Sequence, residues 1–405
     1  MNSIKVENFP CWIFAFMTIY VTDDSLLFGT NSNEIFIYLK YVFYTVINLY
    51  FFQKSLGKNI GLAGLKSGVF IIFISFILIL SSLSNSDLRN GTFLFIYTLI
   101  TASLFVNKYS FQVFAKCYVY LLYLFAFASL ITYILNITIP SLFNMFPIIT
   151  NFGGVPFKYL GIANLFDGFN FTRNLSVFRE PGVYSIHLCI SIIIQLFYNQ
   201  KFINKKVLGI TILALFTTLS TSGILVFSLI LLFYNIRNRK INQIIYSGIF
   251  IGFLFFIINY NPDLFDFVFS KFDKNSTDYA SSLSRTASLY IPLKIISENP
   301  ILGIGLTAFV KNYSLISLEL YGVFLSSDSA ATNTILNFSS VYGIPSALLL
   351  IFAMVGFAKL IDKKMYLIIL GLLVLLISSQ ELRYSLLFSV IIMYGVSSHF
   401  KVKNK

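Results

Sequence analysis

The stretch YVYLLYLFAFASLITYIL, residues 118–135, is 18 residues long and contains no charged side chain. An α-helix rises ~1.5 Å per residue and the hydrocarbon layer is ~30 Å thick, so about 20 apolar residues can cross a bilayer. Similar runs recur along the chain, among them IIFISFILIL before Ser81 and LIILGLLVLLI ending at Ile377. One such run could be a buried helix of a soluble protein. Their repetition predicts an all-α, polytopic integral membrane protein.

Composition excludes several other classes of protein. Of the 405 residues, 57% are hydrophobic and 11% are charged, whereas a soluble domain carries roughly a quarter charged residues. Cys11, Cys117 and Cys189 are odd in number and lie in apolar runs, and the chain has two histidines. A disulfide framework and a histidine-based metal site are therefore not expected, and no cofactor is implied. The sequence also lacks the short motifs of NTPases, α/β-hydrolases and zincins.

The apolar runs predict about 12 transmembrane helices within a single transmembrane domain, residues 1–405. The predicted spans are residues 10–22, 35–52, 67–83, 92–106, 113–135, 181–199, 207–219, 223–236, 243–259, 337–358, 365–379 and 384–398. Two connections are long, residues 136–180 and 260–336, and function tends to lie on long loops held by a rigid scaffold. We expect the larger loop to carry short helices, including an amphipathic helix over 263–274 on the outer membrane surface.

Lysine and arginine indicate the orientation of these spans. With the N-terminus inside, the inner connections and the span ends beside them hold 18 of the 29 basic residues and the outer connections hold 10, while Lys40 lies within a span. Short inner loops rich in lysine are the positive-inside pattern. We therefore expect cytoplasmic N- and C-termini, with both long loops in the periplasm. In this orientation the net charge of +13 mostly reflects cytoplasmic loops that lie beside anionic lipid, so it does not indicate a protein that binds nucleic acid.

Arginine departs from the pattern that lysine follows. Five of the seven arginines fall on the predicted outer side, namely Arg89, Arg173, Arg179, Arg285 and Arg383, against five of the 22 lysines. Because a guanidinium binds phosphate oxygens in a bidentate manner, this enrichment favours an anionic ligand on the outer face. The alternative for any one of them is a loop arginine that pairs with an acid or a lipid headgroup.

Two sites in the long loops carry groups suited to chemistry. Arg179 and Glu180 stand before Pro181, which is a favourable first residue for the following helix. The plain alternative is that Glu180 caps this helix and complements its dipole. In the second loop, Arg285 lies near the start of a predicted helix, where backbone amides and a guanidinium can converge on an anion.

Four segments, in this order, resemble the O-antigen polymerase and ligase superfamily, most closely its Wzy-type polymerases. They are Arg173-x-x-Ser176-x-x-x-Glu180-Pro181-Gly182 before a span; Thr221-Ser222-Gly223 at an outer hairpin; Ser284-Arg285 followed by Glu298-Asn299-Pro300-Ile301-Leu302-Gly303-Ile304-Gly305; and Thr332-Asn333-Thr334 followed by Tyr342-Gly343-Ile344-Pro345. They extend over about the C-terminal 60% of the chain, and the first five spans match only in hydropathy. Ligases of the superfamily usually carry a histidine where this chain has Thr332, so the resemblance favours a polymerase.

The resemblance implies a metal-independent glycosyltransferase of the bacterial inner membrane that needs no cofactor. Such an enzyme polymerises polyprenyl-pyrophosphate-linked oligosaccharide repeat units into O-antigen or a related surface polysaccharide on the periplasmic face. Polyprenyl pyrophosphate is the leaving group. The partners it implies are this lipid-linked oligosaccharide and the lipid bilayer, with a chain-length regulator and a flippase as further candidates.

This reaction assigns roles to the outer residues. Cations must stabilise the charge that develops on the pyrophosphate, and a general base must take the proton of the attacking hydroxyl. The candidates for pyrophosphate binding are Arg173, Arg179, Arg285 and Arg383. Glu180, Arg285 and Arg173 are the predicted catalytic residues, with Glu180 as base and with Glu298 and Asn333 as secondary candidates.

Two alternatives remain open at the level of the sequence. A flippase for the same lipid-linked sugars also has about 12 spans, but it is expected to expose charges within its spans and to have short loops. Here the ionisable residues within spans are few, notably Lys40 and His187. We expect His187 to hydrogen-bond a neighbouring helix and Lys40 to snorkel or to line a cavity. A ligase that transfers a finished glycan to a lipid A core is the second alternative, with almost the same site.

Overall fold

The computed structural model describes residues 9–54, 62–87, 90–167, 173–198, 204–238 and 279–400. Five helices within them are long and apolar enough to cross a membrane: Ile35–Gln53, Gly64–Ser84, Phe111–Thr138, Pro181–Tyr198 and Ile344–Ile361. Shorter apolar helices are Phe9–Ile19, Gly91–Val106, Thr221–Arg237, Tyr366–Ile377 and Leu386–His399. The chain is a mostly helical, polytopic membrane protein. The predicted span 243–259 and the amphipathic segment 263–274 lie outside the described residues.

The helices follow the apolar runs closely. In chain order they are α1 (Phe9–Ile19), α2 (Ile35–Gln53), α3 (Leu62–Ser84), α4 (Asn90–Val106), α5 (Phe111–Thr138), α6 (Pro181–Ile193), α7 (Lys205–Thr217), α8 (Thr221–Arg237), α9 (Tyr279–Glu298), α10 (Leu306–Tyr321), α11 (Ser327–Ala330), α12 (Thr334–Tyr342), α13 (Ile344–Ile361), α14 (Tyr366–Ile377) and α15 (Leu386–Phe400). A π-helical turn, Ile194–Tyr198, continues α6. In the described part of the chain, each predicted span coincides with helix, and one of them is interrupted.

The interruption lies at Gly343, so the prediction of one continuous helix over 337–358 is wrong. Gly343 has a φ of +85°, a conformation that L side chains rarely adopt. A Cβ at this position would overlap the backbone carbonyl of Ile301. The N–H of Ile344 donates to the carbonyl of Pro300 (2.8 Å), which locks the two segments together. A glycine within an apolar run therefore divides the helix into α12 and α13.

We expect Gly343→Ala to lower the free energy of unfolding by about 3 kcal/mol or more. Strained backbone costs ~1–3 kcal/mol, and an added carbon in a packed interior costs ~1–3 kcal/mol more. The measurement is the thermal unfolding midpoint of the purified protein in detergent. Gly371→Ala on α14 is the matched control, because a Cβ there meets nothing within 4 Å. Equal midpoints for both variants would contradict the close approach at Gly343.

The segment between α9 and α10 packs against the end of α12. The N–H groups of Ile304 and Gly305 donate to the carbonyls of Ser340 and Val341, at 3.0 and 3.1 Å. These carbonyls lie in the last turn of α12, where a helix leaves acceptors without an internal partner. The glycine-rich part of the third family-like segment thus holds the fourth segment in place, which is a structural role.

Close packing at small residues joins two of the C-terminal helices, α13 and α15, to each other. Helix α15 packs against α13, α4 and α3, while α5 packs against α1 and α7. A Cβ at Gly395 of α15 would overlap the carbonyl of Ala353, and one at Gly356 would overlap the carbonyl of Gly395. Small residues of this kind allow helix backbones to approach closely within a membrane.

The connection between α5 and α6 contains a small antiparallel sheet, so the all-α prediction needs a local correction. Its strands are β1 (Ile148–Thr150), β2 (Pro156–Tyr159) and β3 (Asn164–Phe166), in the order β1-β2-β3. Phe157 of β2 is buried with Leu26 and Leu175 in a small apolar cluster of its own. The strands are too short to show an alternating pattern in the sequence. The sheet holds its last strand beside the cavity described below.

Lys40 forms a buried ion pair, so the prediction that it snorkels or lines a cavity is wrong. Its side chain is 1% exposed, and its Nζ lies 2.7 Å from Oδ1 of Asp23. The same ammonium donates to the carbonyl of Phe28 (3.1 Å). Lys40 is five residues from the start of α2, which is roughly 8 Å along the helix. The pair fastens α2 to the segment that follows α1.

His187 confirms the expectation that it bonds neighbouring elements. Its Nε2 lies 3.1 Å from Oδ2 of Asp24, and its Nδ1 lies 3.0 Å from the hydroxyl of Tyr118 on α5. Ser385, just before α15, donates a short hydrogen bond to the same Asp24 oxygen. Asp24 and His187 are both buried. The segment after α1 is therefore joined to α5, α6 and α15.

Candidate functional site

A cavity of about 350 Å³ opens at the end of the bundle where α6 and α8 begin. Its lining residues are Phe166, Arg173, Glu180, Pro181, Gly182, Ser220, Ser284, Arg285, Thr332, Ser379 and Gln380. The three predicted catalytic residues, Arg173, Glu180 and Arg285, are among them. Three of the four family-like segments contribute lining residues, and the residue preceding the remaining segment, Ser220, lines the cavity too. Segments far apart in the sequence thus meet around one space.

Arg173 is held by the turn between α7 and α8. Its Nε donates to the carbonyl of Thr218 (3.0 Å), and its Nη2 donates to the carbonyl of Leu219 (3.3 Å). Carbonyls at the C-terminal end of a helix carry partial negative charge and attract a cation. Leu219 has a φ of +49°, which turns the chain sharply between the two helices. This turn fixes the guanidinium of Arg173 at the cavity wall.

Glu180 occupies the position before α6 without acting as a side-chain cap. Its backbone is extended, Pro181 begins the helix, and the carboxylate makes no capping hydrogen bond. Among the residues that the structure describes, no hydrogen-bond donor or salt-bridge partner contacts this carboxylate. The side chain of Glu180 therefore does not cap α6. The exposed carboxylate is available to accept a proton within the cavity.

Arg285 lies in the second turn of α9 and borders the same cavity. Partial burial lowers its pKa from the ordinary value, and the nearby carboxylate of Glu180 opposes this by favouring the charged form. The net pKa shift is downward, but the guanidinium of an arginine stays protonated at neutral pH. No hydrogen bond to its guanidinium is present within the described part of the chain. The guanidinium of Arg285 and the carboxylate of Glu180 therefore interact electrostatically across the cavity.

The ends of two helices add positive potential to the cavity. Pro181 and Gly182 belong to the first turn of α6, and Ser220 is the N-cap of α8. Helix N-termini present unpaired backbone N–H groups and the positive end of the helix dipole. With Arg173 and Arg285, they give a cavity that suits an anion with several oxygens. Glu180 supplies a carboxylate beside that anion.

Arg179 and Arg383 do not line the cavity. Nη2 of Arg179 donates to the backbone carbonyl of Glu381 (2.5 Å). Nη2 of Arg383 lies 3.3 Å from Oε2 of Glu381, and this arginine is 4% exposed. Burial alone would lower the pKa of Arg383, but Glu381 and Tyr384 raise it above the ordinary value. Both arginines therefore have polar partners inside the protein. This agrees with the alternative given in the sequence analysis, in which a loop arginine pairs with an acidic residue instead of binding an anionic ligand.

The secondary candidates also lie away from the cavity. Glu298 is exposed at the end of α9, 13 residues beyond Arg285, which is roughly 20 Å along a helix. Asn333 is buried and caps α12, because its side-chain oxygen accepts a hydrogen bond from the N–H of Leu336 (3.1 Å). Arg89 lies outside the described residues.

Sequence reasoning named Arg383 but missed the cavity residues that precede it in the connection between α14 and α15. Ser379 and Gln380 line the cavity, and a Cβ at Gly182 would lie 2.6 Å from Nε2 of Gln380. The signal in the sequence is weak, because it consists of a short polar stretch, residues 378–383, between two apolar runs. Phe166 was missed as well, since it reaches the cavity on strand β3.

Comparison with known families agrees with the resemblance. A family model described as "O-Antigen ligase" matches residues 207–351. The matched part includes Ser220, Arg285 and Thr332 of the cavity, and it ends before Gln380. This match covers less than half of the chain and is consistent with the superfamily of O-antigen polymerases and ligases. Members of the matched family are enzymes that act on lipid-linked sugars. A search of curated proteins gave no match.

Proposed function

We propose that this protein is an O-antigen polymerase-like enzyme that polymerises lipid-linked oligosaccharide repeat units. It transfers the growing glycan from polyprenyl pyrophosphate to a hydroxyl of the next lipid-linked unit. The observation that carries the proposal is the convergence of Arg173, Glu180 and Arg285 on one cavity at the end of a membrane bundle. A pyrophosphate leaving group requires cations, and an attacking hydroxyl requires a proton acceptor.

The proposed step uses these three residues directly. The hydroxyl oxygen of the acceptor forms a bond to the anomeric carbon, and the bond from that carbon to pyrophosphate breaks. The leaving pyrophosphate keeps the electron pair, and its new charge is stabilised by Arg173 and Arg285. The proton of the hydroxyl passes to the carboxylate of Glu180. The chain's own side chains supply each of these roles, so we propose that the reaction is metal-independent.

The position of Thr332 supports a polymerase over a ligase. Ligases of the superfamily usually have a histidine before the asparagine of this segment, and here Thr332 stands there and lines the cavity. Its hydroxyl donates to Oγ of Ser288 (3.1 Å). A hydroxyl in this bond cannot take a proton as an imidazole would. A ligase remains the alternative within the same family.

The buried polar pairs weigh against a flippase. Lys40 pairs with Asp23, and His187 pairs with Asp24, so these ionisable groups are committed to partners within the protein. A transporter for an anionic lipid needs charged groups that face a central pathway. The cavity arginines, Arg173 and Arg285, lie instead at one end of the bundle.

We place that end at the periplasmic face of the bacterial inner membrane. The placement rests on lysine-rich connections at the opposite end, which follow the positive-inside rule and put the N- and C-termini in the cytoplasm. It also suits the substrate, since the lipid-linked unit meets the cavity from the outer leaflet. A flippase that delivers this unit and a chain-length regulator stay predicted partners.

The proposal is tested with purified protein and a synthetic polyprenyl-pyrophosphate repeat unit, without nucleotide sugar and with EDTA present. We expect a ladder of glycan lengths on a gel, and the same ladder without EDTA. Loss of the ladder when EDTA is added would contradict metal-independent transfer. Transfer only to a lipid A core acceptor would identify a ligase. Movement of the lipid across liposome bilayers without a new glycosidic bond would identify a flippase.

A further inference from the structure

We propose that Gln380 recognises a hydroxyl group of the acceptor sugar in the cavity, and that the residues around Glu381 hold Gln380 in position. This inference rests on the proposed function in that the ligand is a glycan. Gln380 lies on the connection 378–385 between α14 and α15, outside the part of the chain that matches the family.

The side chain of Gln380 has unused hydrogen-bonding capacity beside the cavity. It is half-buried, and within the part of the chain that the structure describes its amide group makes no hydrogen bond. An amide offers two donors and a carbonyl acceptor without net charge. This set matches a sugar hydroxyl, which both donates and accepts, whereas an anion would call for a cation. Because the amide is only half-buried, it can exchange bound water for a sugar hydroxyl at the cavity wall.

The backbone on both sides of this amide is fixed by side chains from other elements. Oγ1 of Thr334 donates to the carbonyl of Gln380 (2.7 Å) and accepts from the N–H of Leu382 (2.8 Å). Nη2 of Arg179 donates to the carbonyl of Glu381 (2.5 Å). A turn between two spans needs none of these bonds to reverse direction. They hold the peptide groups next to Gln380 in one orientation.

The side chain of Glu381 is anchored away from the cavity. Its Oε2 accepts from Nδ2 of Asn337 (2.6 Å), and its Oε1 accepts from the N–H of Arg383 (3.1 Å). Arg383 also pairs with this carboxylate, although desolvating a charged pair is expensive. With Glu381 drawn toward α12, its neighbour Gln380 is left facing the cavity. Glu381, Asn337, Arg383 and Arg179 are thus positioning residues, as is Thr334.

The place of the amide indicates which part of the substrate it meets. Nε2 of Gln380 lies against Gly182, in the first turn of α6, and Gly182 is two residues from Glu180. A group bound by Gln380 is therefore close to the proposed proton acceptor. The hydroxyl that attacks belongs to the acceptor sugar, so Gln380 contacts that sugar.

The test uses the methyl glycoside of the repeat unit, which has the sugar hydroxyls but no pyrophosphate, and measures its binding to the purified full-length protein by calorimetry. Gln380→Ala is expected to raise Kd about 3- to 10-fold, which is the loss of one neutral hydrogen bond. Thr334→Val, which removes the bridging hydroxyl, should raise Kd in the same direction, while Thr334→Ser should restore the wild-type value. In the double variant Gln380→Ala/Thr334→Val, Kd should match that of Gln380→Ala alone.

Several outcomes would overturn the inference. They are an unchanged Kd in Gln380→Ala, a glycoside that fails to bind the wild-type protein, and additive losses in the double variant, which would separate Thr334 from Gln380. Binding of the glycoside does not depend on turnover. If the protein binds the sugar through Gln380 but forms no glycan ladder, the role of Gln380 is supported and the proposed polymerase activity is contradicted.

Discussion

Replacing Arg285 with alanine should slow glycan polymerisation about 100- to 1,000-fold, which is the usual effect of removing a preorganised group that stabilises transition-state charge. The guanidinium lines the cavity on α9, lies in the field of Glu180 and has no hydrogen-bond partner within the described residues. Arg285→Lys should recover part of the rate, because lysine keeps the charge but loses the bidentate fork. The measurement is the initial rate of ladder formation at a saturating concentration of repeat unit.

Lys294→Ala provides the matched control on the same helix. Lys294 lies outside the cavity lining and pairs with the exposed Glu319 at 3.0 Å. Exposed ion pairs contribute ~0–1 kcal/mol, so this variant should keep the wild-type rate. If Arg285→Ala were as fast as Lys294→Ala, the cavity arginine would have no part in stabilising the leaving pyrophosphate.

Glu180→Gln should lower the rate about 100- to 10,000-fold, which is the range for loss of a general base. Glutamine keeps the shape of the side chain but cannot accept the proton. Glu180 contributes the carboxylate that lines the cavity among the described residues, and its side chain is not used to cap α6. The expected loss is in kcat at saturating repeat unit, with KM not raised.

Glu319→Gln serves as the control for that change, since Glu319 is an exposed glutamate on α10, away from the cavity lining. It should leave both kcat and KM unchanged. Retention of the wild-type kcat in Glu180→Gln would assign the proton to another acceptor. Glu298 would be a poor replacement, because it lies roughly 20 Å from Arg285 along α9.

The helices were predictable because a bilayer selects long apolar runs, and those runs are visible in the sequence. The break at Gly343 was not, since glycine is common in membrane helices and its reason lies in the carbonyl of Ile301, 42 residues earlier. The sheet over 148–166 was missed because strands of three or four residues carry too little pattern. Long-range partners, rather than local propensity, decide both features.

Two site residues, Arg173 and Arg285, were predictable from positive charge placed against the positive-inside rule. They share this signal with Arg179 and Arg383, yet the first two line the cavity and the second two bind Glu381. The sequence cannot show which two of these four arginines line the cavity, because that depends on how residues 378–383 contact α6 and α12. Gln380 is uncharged and belongs to no recognised motif, so only the fold identifies it as a cavity residue.

The ion pair between Lys40 and Asp23 bears on how the protein enters the membrane. An unpaired lysine adds ~2.5–3.5 kcal/mol to the insertion of a helix when it lies near the helix centre, and somewhat less toward the end. Asp23 follows α1 directly and neutralises Lys40 at 2.7 Å. Insertion of α2 is thereby favoured when the segment that follows α1 is already beside it. We expect α1, this segment and α2 to partition from the translocon together, before the residues of the cavity have been synthesised.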